Sequence, residues 1–376
     1  MNIIINVSNL HIGGGVQVAI SFVNELKKIT NANFYHIVLS ETVNTHIEHD
    51  FPKNKFKFYV ICQSSVRLLN RLSQIKKLRT IERKIQPDVV FSLFGPSYWR
   101  PKSLHVMGFA DPWILNPASK AYDELSLMAR VRMRLQCFIK SYYLMKDSNH
   151  YIIETQDGKN KMVDLFNIER DRIFVVGNCF NGFFYDSSLL ETSSIDYLQL
   201  PARQKDEFRL LLITHNYPHK NLQIIKKVIP LLKDYNVKFV LTIDHKSFGD
   251  LFGISSNDIL NLGPVSIKSC PSLYEQCDAL FMPSLLEVFS ASYLEAMKMS
   301  KPILASNLSF AKEVCEDAAL YFDPLDDKDI SKKIIKLIED DELISKLINK
   351  GIRRLDAFET AQSRAKKYLD ILSILV

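Results

Sequence analysis

The first thirty residues carry the pattern that most restricts the fold of this chain. An apolar, β-branched run over residues 3–7 is followed by three glycines at 13–15 and by apolar residues at helical spacing over 16–26. This order predicts a strand, a glycine loop and a helix. Strand-like and helical segments continue to alternate along the chain, which indicates parallel sheets covered on both faces.

The alternating pattern occurs twice, on either side of a polar stretch. A chain of 376 residues is longer than one hydrophobic core usually supports. Residues 187–206 are rich in Ser, Thr and charge, and they predict a linker. We therefore predict two doubly wound, Rossmann-like α/β domains facing a central cleft, formed by residues 1–186 and 207–357. A ligand would lie beyond the carboxyl ends of the strands.

The composition is that of a globular protein. With 47% hydrophobic and 24% charged residues, the chain is neither disordered nor a coiled-coil rod. No apolar run reaches the length of about 18 residues that a membrane-spanning helix needs. The six cysteines are scattered singly, without a CxxC motif, which favours a reducing cytoplasmic location and argues against structural zinc.

The basic residues are concentrated in the first half of the chain. Of the 48 Lys and Arg, 24 lie in residues 1–180 against 15 Asp and Glu, whereas the remaining 24 face 27 acids. The densest stretch runs from Lys53 to Lys84, where Glu82 is the only acid. This asymmetry favours a polyanionic partner, which could be an acidic membrane surface, a phosphorylated substrate or a nucleic acid.

Residues 283–297 contain the densest set of candidate ligand-binding groups. They follow a predicted strand, so that Glu287 falls in the turn and Glu295 in the first turns of the next helix. Ser290 or Ser292 can cap that helix, whose free amide groups would favour a diphosphate. An ionised carboxylate can accept hydrogen bonds from two adjacent sugar hydroxyls. The alternative is that both acids are solvated side chains with no ligand.

This segment resembles the E-x7-E stretch of retaining glycosyltransferases with the GT-B fold, and it is most similar to glycosyltransferase family 4. The resemblance covers most of residues 170–340 and implies a first, acceptor-side domain and a second, nucleotide-sugar-binding domain. It also implies that the final helix, residues 358–376, packs back on the first domain. Its supporting motifs are residues 175–178, 181–182, 263–265, 280–284, 294–297, 301–306 and 322–324.

The resemblance implies a role for each of three charged residues. Glu295 would hold the ribose hydroxyls of a nucleotide sugar, Glu287 would contact the sugar, and Lys220 would neutralise the diphosphate. His215 stands where many relatives have an arginine, and Val288 and Ser290 stand where they have glycines. The predicted donor site comprises Gly14, Gly15, His215, Asn216, Lys220, Val265, Glu287, Phe289, Ser290, Ala291 and Glu295.

The glycine loop is the predicted contribution of the first domain to this site. Glycines between a strand and a helix allow the backbone to approach a ligand, and the helix amide groups would point at an anion. The spacing is not GxGxxG, so the dinucleotide-binding motif is absent. Similar proteins place such a loop against the donor phosphate or the acceptor; the alternative is a tight turn without a ligand.

Residues 104–113 supply the candidates for acceptor binding. The segment ends a predicted strand where many relatives carry a His-Asp pair, and here the place is taken by Ala110 and Asp111. Asp111 is the preferred acceptor contact and is predicted to be catalytic, together with Lys220 and Glu287. His105 could instead be an ordinary strand histidine, and Trp113 could stack on a sugar or belong to the core.

No metal site is predicted. The only DxD sequence, Asp327 to Asp329, crowds a predicted helix start and is interpreted as helix capping. The resemblance implies a UDP- or GDP-sugar donor, no obligatory metal, and retention of anomeric configuration. It also implies that the departing phosphate, rather than a protein base, assists deprotonation of the acceptor.

The resemblance implies a glycosyltransferase that moves a sugar to a glycan or lipid-linked acceptor in bacterial surface polysaccharide synthesis. The basic stretch Arg67–Lys84, with Arg130, Arg132 and Arg134, would then contact anionic lipid at the inner face of the cell membrane. Two alternatives stay open. One is a GT-B type nucleotide-sugar epimerase, and the other is a non-catalytic polyanion-binding protein. Nucleic acid is not the expected partner, because no RNA-binding motif with interleaved aromatic residues is present.

Overall fold

The protein consists of two compact units. The computed structural model describes residues 1–61, 67–253 and 257–376, and only the helical backbone of residues 67–70. The first unit contains Met1–Pro117, Val131–Asn178 and Glu359–Val376. The second contains Ala118–Arg130 and Cys179–Phe358.

These boundaries differ from those expected at residues 118–130 and at residues 179–206, because residues 179–186 were expected in the first domain. Residues 118–130 group with the second unit, where Ser119 Oγ donates to the Leu285 carbonyl at 3.4 Å. Residues 187–206 are also part of the second unit rather than a linker. Leu200 is buried there, and the Leu198 amide donates to Ser272 Oγ at 3.1 Å. Residues 187–206 are polar on average, but they pack into the second unit through a few apolar residues such as Leu200.

Within the described residues, the first unit is built on a sheet of seven parallel strands in the order β3-β2-β1-β4-β5-β6-β7. Strands β1, β2, β4 and β5 are almost entirely buried, as expected for a parallel sheet covered on both faces, whereas the edge strands β3 and β7 are partly exposed. They are β1 (Asn2–Val7), β2 (Phe34–Ser40), β3 (Phe56–Ile61), β4 (Val89–Ser92), β5 (Leu104–Phe109), β6 (His150–Ile153) and β7 (Ile173–Val175).

The second unit has six described parallel strands in the order β10-β9-β8-β11-β12-β13. Strand β8 pairs with both β9 and β11, so the chain order reverses beside it. The strands are β8 (Phe208–Leu212), β9 (Val237–Leu241), β10 (Ile259–Asn261), β11 (Ala279–Met282), β12 (Ile303–Ser306) and β13 (Ala319–Phe322).

Helices connect the strands of both sheets. They are α1 (Gly14–Leu26), α2 (Glu41–Asn44), α3 (Arg67–Ile85), α4 (Pro112–Leu115), α5 (Leu127–Asp147), α6 (Gln156–Phe166), α7 (Ile225–Val228), α8 (His245–Phe252), α9 (Cys270–Gln276), α10 (Ala291–Lys298), α11 (Ser309–Cys315), α12 (Asp327–Glu339), α13 (Asp341–Leu355) and α14 (Ala361–Leu375). Helical spacing of apolar residues predicts a helix over residues 66–85; among the described residues this is α3, from Arg67, and Val66 itself lies outside them.

The C-terminal helix α14 packs within the first unit. Tyr368 forms edge-to-face contacts with Phe22 of α1, with ring centroids 5.2 Å apart. Arg364 is fully buried and donates to Asn178 and, at 3.0 Å, to Ser21 Oγ. Asn178 in turn donates to Glu154 at 2.7 Å. The helix is thus held by an aromatic contact and by a buried polar network.

Both sheets have a point where the chain order reverses, between β1 and β4 and between β8 and β11. In open α/β sheets, ligands bind beyond the carboxyl ends of the strands at such points. The loops that follow these four strands are therefore where the fold predicts ligand binding.

Among the described helices, none is both long and apolar enough to cross a membrane.

Candidate functional site

The best-defined candidate site lies in the second unit, at the carboxyl ends of β8 and β11. These strands are neighbours and run parallel, so the loops that follow them leave from the same edge of the sheet. The Leu285 amide in one loop donates to the His219 carbonyl in the other at 2.7 Å. This bond fixes the two loops side by side and brings their charged residues together.

Two of the predicted catalytic residues are in direct contact. Lys220 ends the short 3-10 turn Pro218–Lys220, and its ammonium group donates to the carboxylate of Glu287. Both side chains are largely buried. The opposite charges compensate each other, which lowers the energetic cost of keeping two ionised groups out of water. The pair presents one cation and one hydroxyl acceptor to a ligand.

Asn221 positions this pair, although the sequence did not single it out. Its backbone is left-handed, with φ of 55°. Its buried side chain donates to the Pro283 carbonyl at 3.2 Å and to the Pro324 carbonyl at 2.7 Å. It therefore ties the turn carrying Lys220 to the strand end that leads to Glu287. An asparagine directly after a turn is a usable signal, because Asn tolerates the left-handed region.

Helix α10 begins at the same loop, but it lacks the predicted side-chain cap. Ser290 occupies the N-cap position, yet its hydroxyl makes no capping bond, and Ser292 does not replace it. Ala291 is the first residue of the helix. The first-turn amide groups thus have no side-chain acceptor, and they carry the partial positive charge of a helix start. Such an end can bind an anion.

Glu295 lies in the middle of α10 and is 8% exposed. Burial raises the pKa of its carboxyl to about 7, although the Tyr274 hydroxyl opposes this effect. That hydroxyl lies 3.1 Å from Glu295 Oε2 and 3.2 Å from the Ser292 carbonyl. The alternative of a solvated first-turn glutamate does not fit this geometry.

Tyr274, on α9, is a second residue that sequence reasoning missed. It has one hydroxyl proton but two neighbouring acceptors, so it cannot donate to both at once. If Glu295 is protonated, the carboxyl can donate to the tyrosine oxygen while the tyrosine donates to Ser292. The hydroxyl therefore donates either to the Glu295 carboxylate, which lowers the pKa of that carboxyl, or to the Ser292 carbonyl.

The remaining predicted donor residues of the second unit are less tightly organised. His215 and Asn216 are exposed in the loop after β8. The His215 ring lies 5.7 Å from Tyr217, which stacks on His219 at 5.6 Å. Val265 and Phe289 are partly buried and pack against the hydrophobic core. Their side chains therefore contribute at least as much to packing as to any ligand surface.

The glycine loop of the first unit follows β1, as expected. Gly13 has φ of 77° and ψ of −166°, a region that only glycine adopts readily. A Cβ atom at Gly14 would meet nothing within 4 Å, and one at Gly15 would make ordinary contacts at 3.5 Å. The positive φ of Gly13 therefore favours glycine at that position. At positions 14 and 15 a Cβ atom would fit, so packing gives no reason for glycine there.

Asp111 follows β5 and has clear structural partners. It caps α4 by accepting from the Trp113 amide at 3.1 Å, and its other oxygen accepts from Lys140 Nζ at 2.6 Å. The Trp113 side chain is buried. The burial of Trp113 favours a core role over stacking on a sugar. To bind an acceptor, the Asp111 carboxylate would have to do so while it also caps α4 and pairs with Lys140.

His105 is a buried core residue in the structure. Its Nε2 lies 2.9 Å from Ser92 Oγ, and its Nδ1 lies 2.6 Å from the Asp147 carbonyl. Burial lowers the pKa of the ring to about 4, so it is neutral at pH 7. With both nitrogens bonded inside the unit, the ordinary strand histidine is the correct interpretation.

The acidic run at the start of α12 serves the helix. Asp326 is the N-cap and accepts from the amides of Lys328 and Asp329 at 2.9 and 3.1 Å. The capping interpretation of Asp327 to Asp329 is thus confirmed for this run. In the part of the chain that the structure describes, no three His, Cys, Asp or Glu side chains are grouped as metal ligands.

Residues 199–354 match the model of the family described as glycosyl transferases group 1. This range contains Lys220, Glu287 and Glu295. Among curated proteins, the chain is 26% identical over 255 residues to O-antigen chain mannosyltransferase B of Escherichia coli, covering 63% of this chain and 65% of that protein.

A second relative comes from Campylobacter jejuni subsp. jejuni serotype O:2. It is the N,N'-diacetylbacillosaminyl-diphospho-undecaprenol alpha-1,3-N-acetylgalactosaminyltransferase, which is 30% identical over 139 residues, or 36% of this chain and 36% of that protein. The chain therefore matches less than two thirds of the length of either curated relative.

Solved structures match over almost the whole chain. Anabaena Alr3699/HepE in complex with UDP and glucose has a TM-score of 0.70 at 16% identity, covering 99% of both chains. UDP-GlcNAc 2-epimerase from Neisseria meningitidis, bound to UDP-GlcNAc, has a TM-score of 0.62 at 16% identity and the same coverage.

The two doubly wound units and these structural matches define a protein with the GT-B fold. The resemblance inferred from the sequence is confirmed at this level. The chain carries a glycosyl transferases group 1 domain, which forms most of its second unit.

Proposed function

We propose that this protein transfers a sugar from a nucleotide-sugar donor to a glycan or lipid-linked acceptor. The observation that carries the proposal is the contact between Lys220 and Glu287, beside an α10 amino terminus without a side-chain cap and a buried Glu295. These groups suit the parts of a nucleotide sugar. Lys220 and the α10 amides would meet the diphosphate, Glu287 the sugar and Glu295 the ribose.

In the proposed reaction, the bond between the sugar anomeric carbon and the diphosphate oxygen breaks, and the acceptor hydroxyl oxygen forms a bond to that carbon. Negative charge grows on the departing diphosphate, where a fixed cation and helix amides stabilise it. The acceptor proton passes to a phosphate oxygen. We propose retention of anomeric configuration and no obligatory metal, in keeping with family 4. Activity that survives treatment with EDTA would support the absence of an obligatory metal.

The proposed setting is bacterial surface polysaccharide synthesis on the cytoplasmic side of the membrane. The name of the Escherichia coli relative, an O-antigen mannosyltransferase, supports a hexose such as mannose. The bound UDP in the Anabaena structure supports a uridine donor. Both UDP- and GDP-sugars therefore belong in the test.

A thermal-shift panel of UDP-, GDP-, ADP- and dTDP-sugars tests donor binding, because a bound ligand raises the melting temperature. We expect one nucleotide class to give a shift, Glu295→Ala to abolish it and Lys220→Ala to weaken it. Lys350 on α13, whose side chain is 30% exposed and pairs with Asp317, gives a matched control, since Lys350→Ala removes a lysine of the same unit. Normal shifts in both site variants would contradict the proposed site.

A nucleotide-sugar epimerase is the second candidate, because the Neisseria meningitidis epimerase shares the fold over the whole chain. The two activities differ in their need for an acceptor. A glycosyltransferase releases nucleoside diphosphate in proportion to the acceptor glycosylated, whereas an epimerase converts the donor without acceptor. Conversion of a UDP-sugar to its epimer in the absence of acceptor would favour the second candidate.

A further inference from the structure

Helix α5 belongs to the first unit from Val131 onward and presents there an unusual row of exposed apolar side chains. From Val131 onward, six large hydrophobic residues are 40% to 72% exposed, far more than a core-facing helix would leave in water. Five of them follow one another at alternating steps of four and three residues, which places them on one face of a helix with about 3.6 residues per turn. The row, called here the α5 stripe, consists of Val131, Leu135, Phe138, Ile139, Tyr142 and Met145.

Positive charge borders the α5 stripe. By helical periodicity Arg132 and Lys146 lie on one side of it and Arg134 on the other, and the Lys146 ammonium is 5.3 Å from the Tyr142 ring. The only acid in the helix sequence, Asp147, is buried at its end. The exposed face of α5 is therefore apolar along its centre and basic at its edges.

The basic helix α3 is linked to the α5 stripe through aromatic side chains. The Arg71 guanidinium lies 3.8 Å from the centroid of the Tyr98 ring. Tyr98 contacts Tyr143 of α5 at 5.1 Å, and Tyr143 contacts Tyr142 at 5.4 Å. The two helices thus belong to one continuous surface.

Helix α3 adds cations to this surface without adding exposed acids. Lys76, Lys77, Arg79, Arg83 and Lys84 are exposed. Glu82, the only acid in its sequence, is buried and accepts from the backbone amides of Lys102 and Ser103 at 2.5 and 3.1 Å. The charge available to a partner is therefore positive.

We propose that the α5 stripe inserts into the interface of a lipid bilayer that contains anionic headgroups, while the cations of α3 and α5 contact those headgroups. An apolar row flanked by basic residues is the arrangement of a helix that lies in the plane of a membrane surface. A second copy of this chain fits less well, because it would bring like charges together around the stripe. The inference concerns the first unit and does not depend on the donor chemistry proposed for the second.

Vesicle co-sedimentation of the full chain tests this docking. We expect binding to vesicles of phosphatidylcholine with phosphatidylglycerol and at least about tenfold weaker binding to phosphatidylcholine alone. Leu135→Ser should weaken binding by about tenfold. Leu165→Ser is the matched control, because Leu165 is also an exposed helical leucine of the first unit but lies on α6. Equal binding of the two variants would overturn the proposal.

A tryptophan probe gives a second readout that does not rely on loss of function. Both natural tryptophans are buried, so Phe138→Trp adds an exposed fluorophore to the α5 stripe. Its emission should shift to the blue with anionic vesicles, and the same substitution at Leu165 should show no such shift. An unshifted Phe138→Trp signal would overturn insertion. Absence of vesicle binding together with a dimer that Leu135→Ser dissociates would replace the membrane by a second copy.

Discussion

The ammonium group of Lys220 is hydrogen bonded to the carboxylate of Glu287, and these residues come from loops that follow two neighbouring strands. The pair is separated by 67 positions in the sequence. It forms because β8 and β11 are adjacent in the sheet, although β9 and β10 lie between them in the chain. The contact combines the cation and the acceptor that the proposed donor requires.

This ion pair should show strong energetic coupling. Lys220→Met or Glu287→Gln alone would leave one buried charge without its partner and should lower the free energy of unfolding by about 2–3 kcal/mol. The double variant should lose less than the sum of the two, by about 1–3 kcal/mol. Urea unfolding of the four proteins measures the coupling.

A more exposed ion pair of the same unit provides the control. Lys350 and Asp317 are 2.7 Å apart, but the aspartate is 74% exposed. Lys350→Met should therefore change stability by less than about 1 kcal/mol. Strict additivity in the Lys220 and Glu287 cycle would contradict the coupling.

Protonation of Glu295 should make the stability of the protein depend on pH. Its pKa in the folded protein is about 7, against an ordinary value of 4.5, so the folded state binds one more proton than the unfolded state between these values. The free energy of unfolding therefore falls as the pH rises from about 4.5 to about 7. Glu295→Gln should remove this contribution, on the order of 2–3 kcal/mol, whereas Glu342→Gln, at an exposed position on α13, should retain it.

Donor affinity should show the opposite trend across the same window, if Glu295 binds ribose as a carboxylate. Below about pH 7, the dissociation constant of the nucleotide sugar should rise by up to about tenfold per pH unit, because the carboxyl must first lose its proton. Tyr274→Phe should move the midpoint to higher pH, since the tyrosine hydroxyl lowers the pKa of Glu295. Calorimetric titration from pH 5 to 8 measures both, and an unchanged midpoint in Tyr274→Phe would contradict the link.

The neighbouring glycines 13 and 14 should respond differently to alanine. Gly13→Ala forces a side chain into a backbone region that suits only glycine and should cost about 1–3 kcal/mol. Gly14→Ala has open space and should leave the melting temperature unchanged or slightly higher. Reduced turnover in a stable Gly14→Ala protein would support the predicted approach of a ligand, and unchanged turnover would argue for a structural loop.

The buried Arg364 should be essential for packing of α14. Its guanidinium is 1% exposed and bonds to Asn178 and Ser21. Arg364→Met removes a charged donor from a buried network and should destabilise the first unit by about 3 kcal/mol or more. Lys366→Met, at an exposed position on the same helix, should have little effect. Comparable unfolding midpoints for the two variants would show that the network is dispensable.

The sequence predicted the architecture well because alternation of apolar strands and helices is a local property. It was less successful where tertiary contacts override composition. The polar residues 187–206 pack into the second unit through Leu189 and Leu200. The sequence pattern also predicts one long helix over residues 120–146, whereas α5 begins at Leu127, after the short 3-10 turn Lys120–Tyr122 that Ser119 caps.

The candidate site was predicted in part. Lys220, Glu287 and Glu295 were identified from motif resemblance, and the structure brings the first two into contact. Asn221 and Tyr274 were missed because their importance depends on partners distant in the chain, Pro324 for one and Glu295 for the other. For His105 the sequence left two interpretations open, and the structure favours the strand histidine because both ring nitrogens are already bonded in the core.

The sequence by itself determined the type of domain, the positions of the strands and the chemical identity of the charged residues near their ends. These follow from hydrophobic periodicity and glycine placement, which act over a few residues. Only the tertiary structure decided that Lys220 neutralises Glu287, that burial raises the pKa of Glu295 to about 7, and that the α5 stripe stays exposed. Each of these depends on burial and on the distance between side chains, which are fixed by the packing of elements remote in sequence.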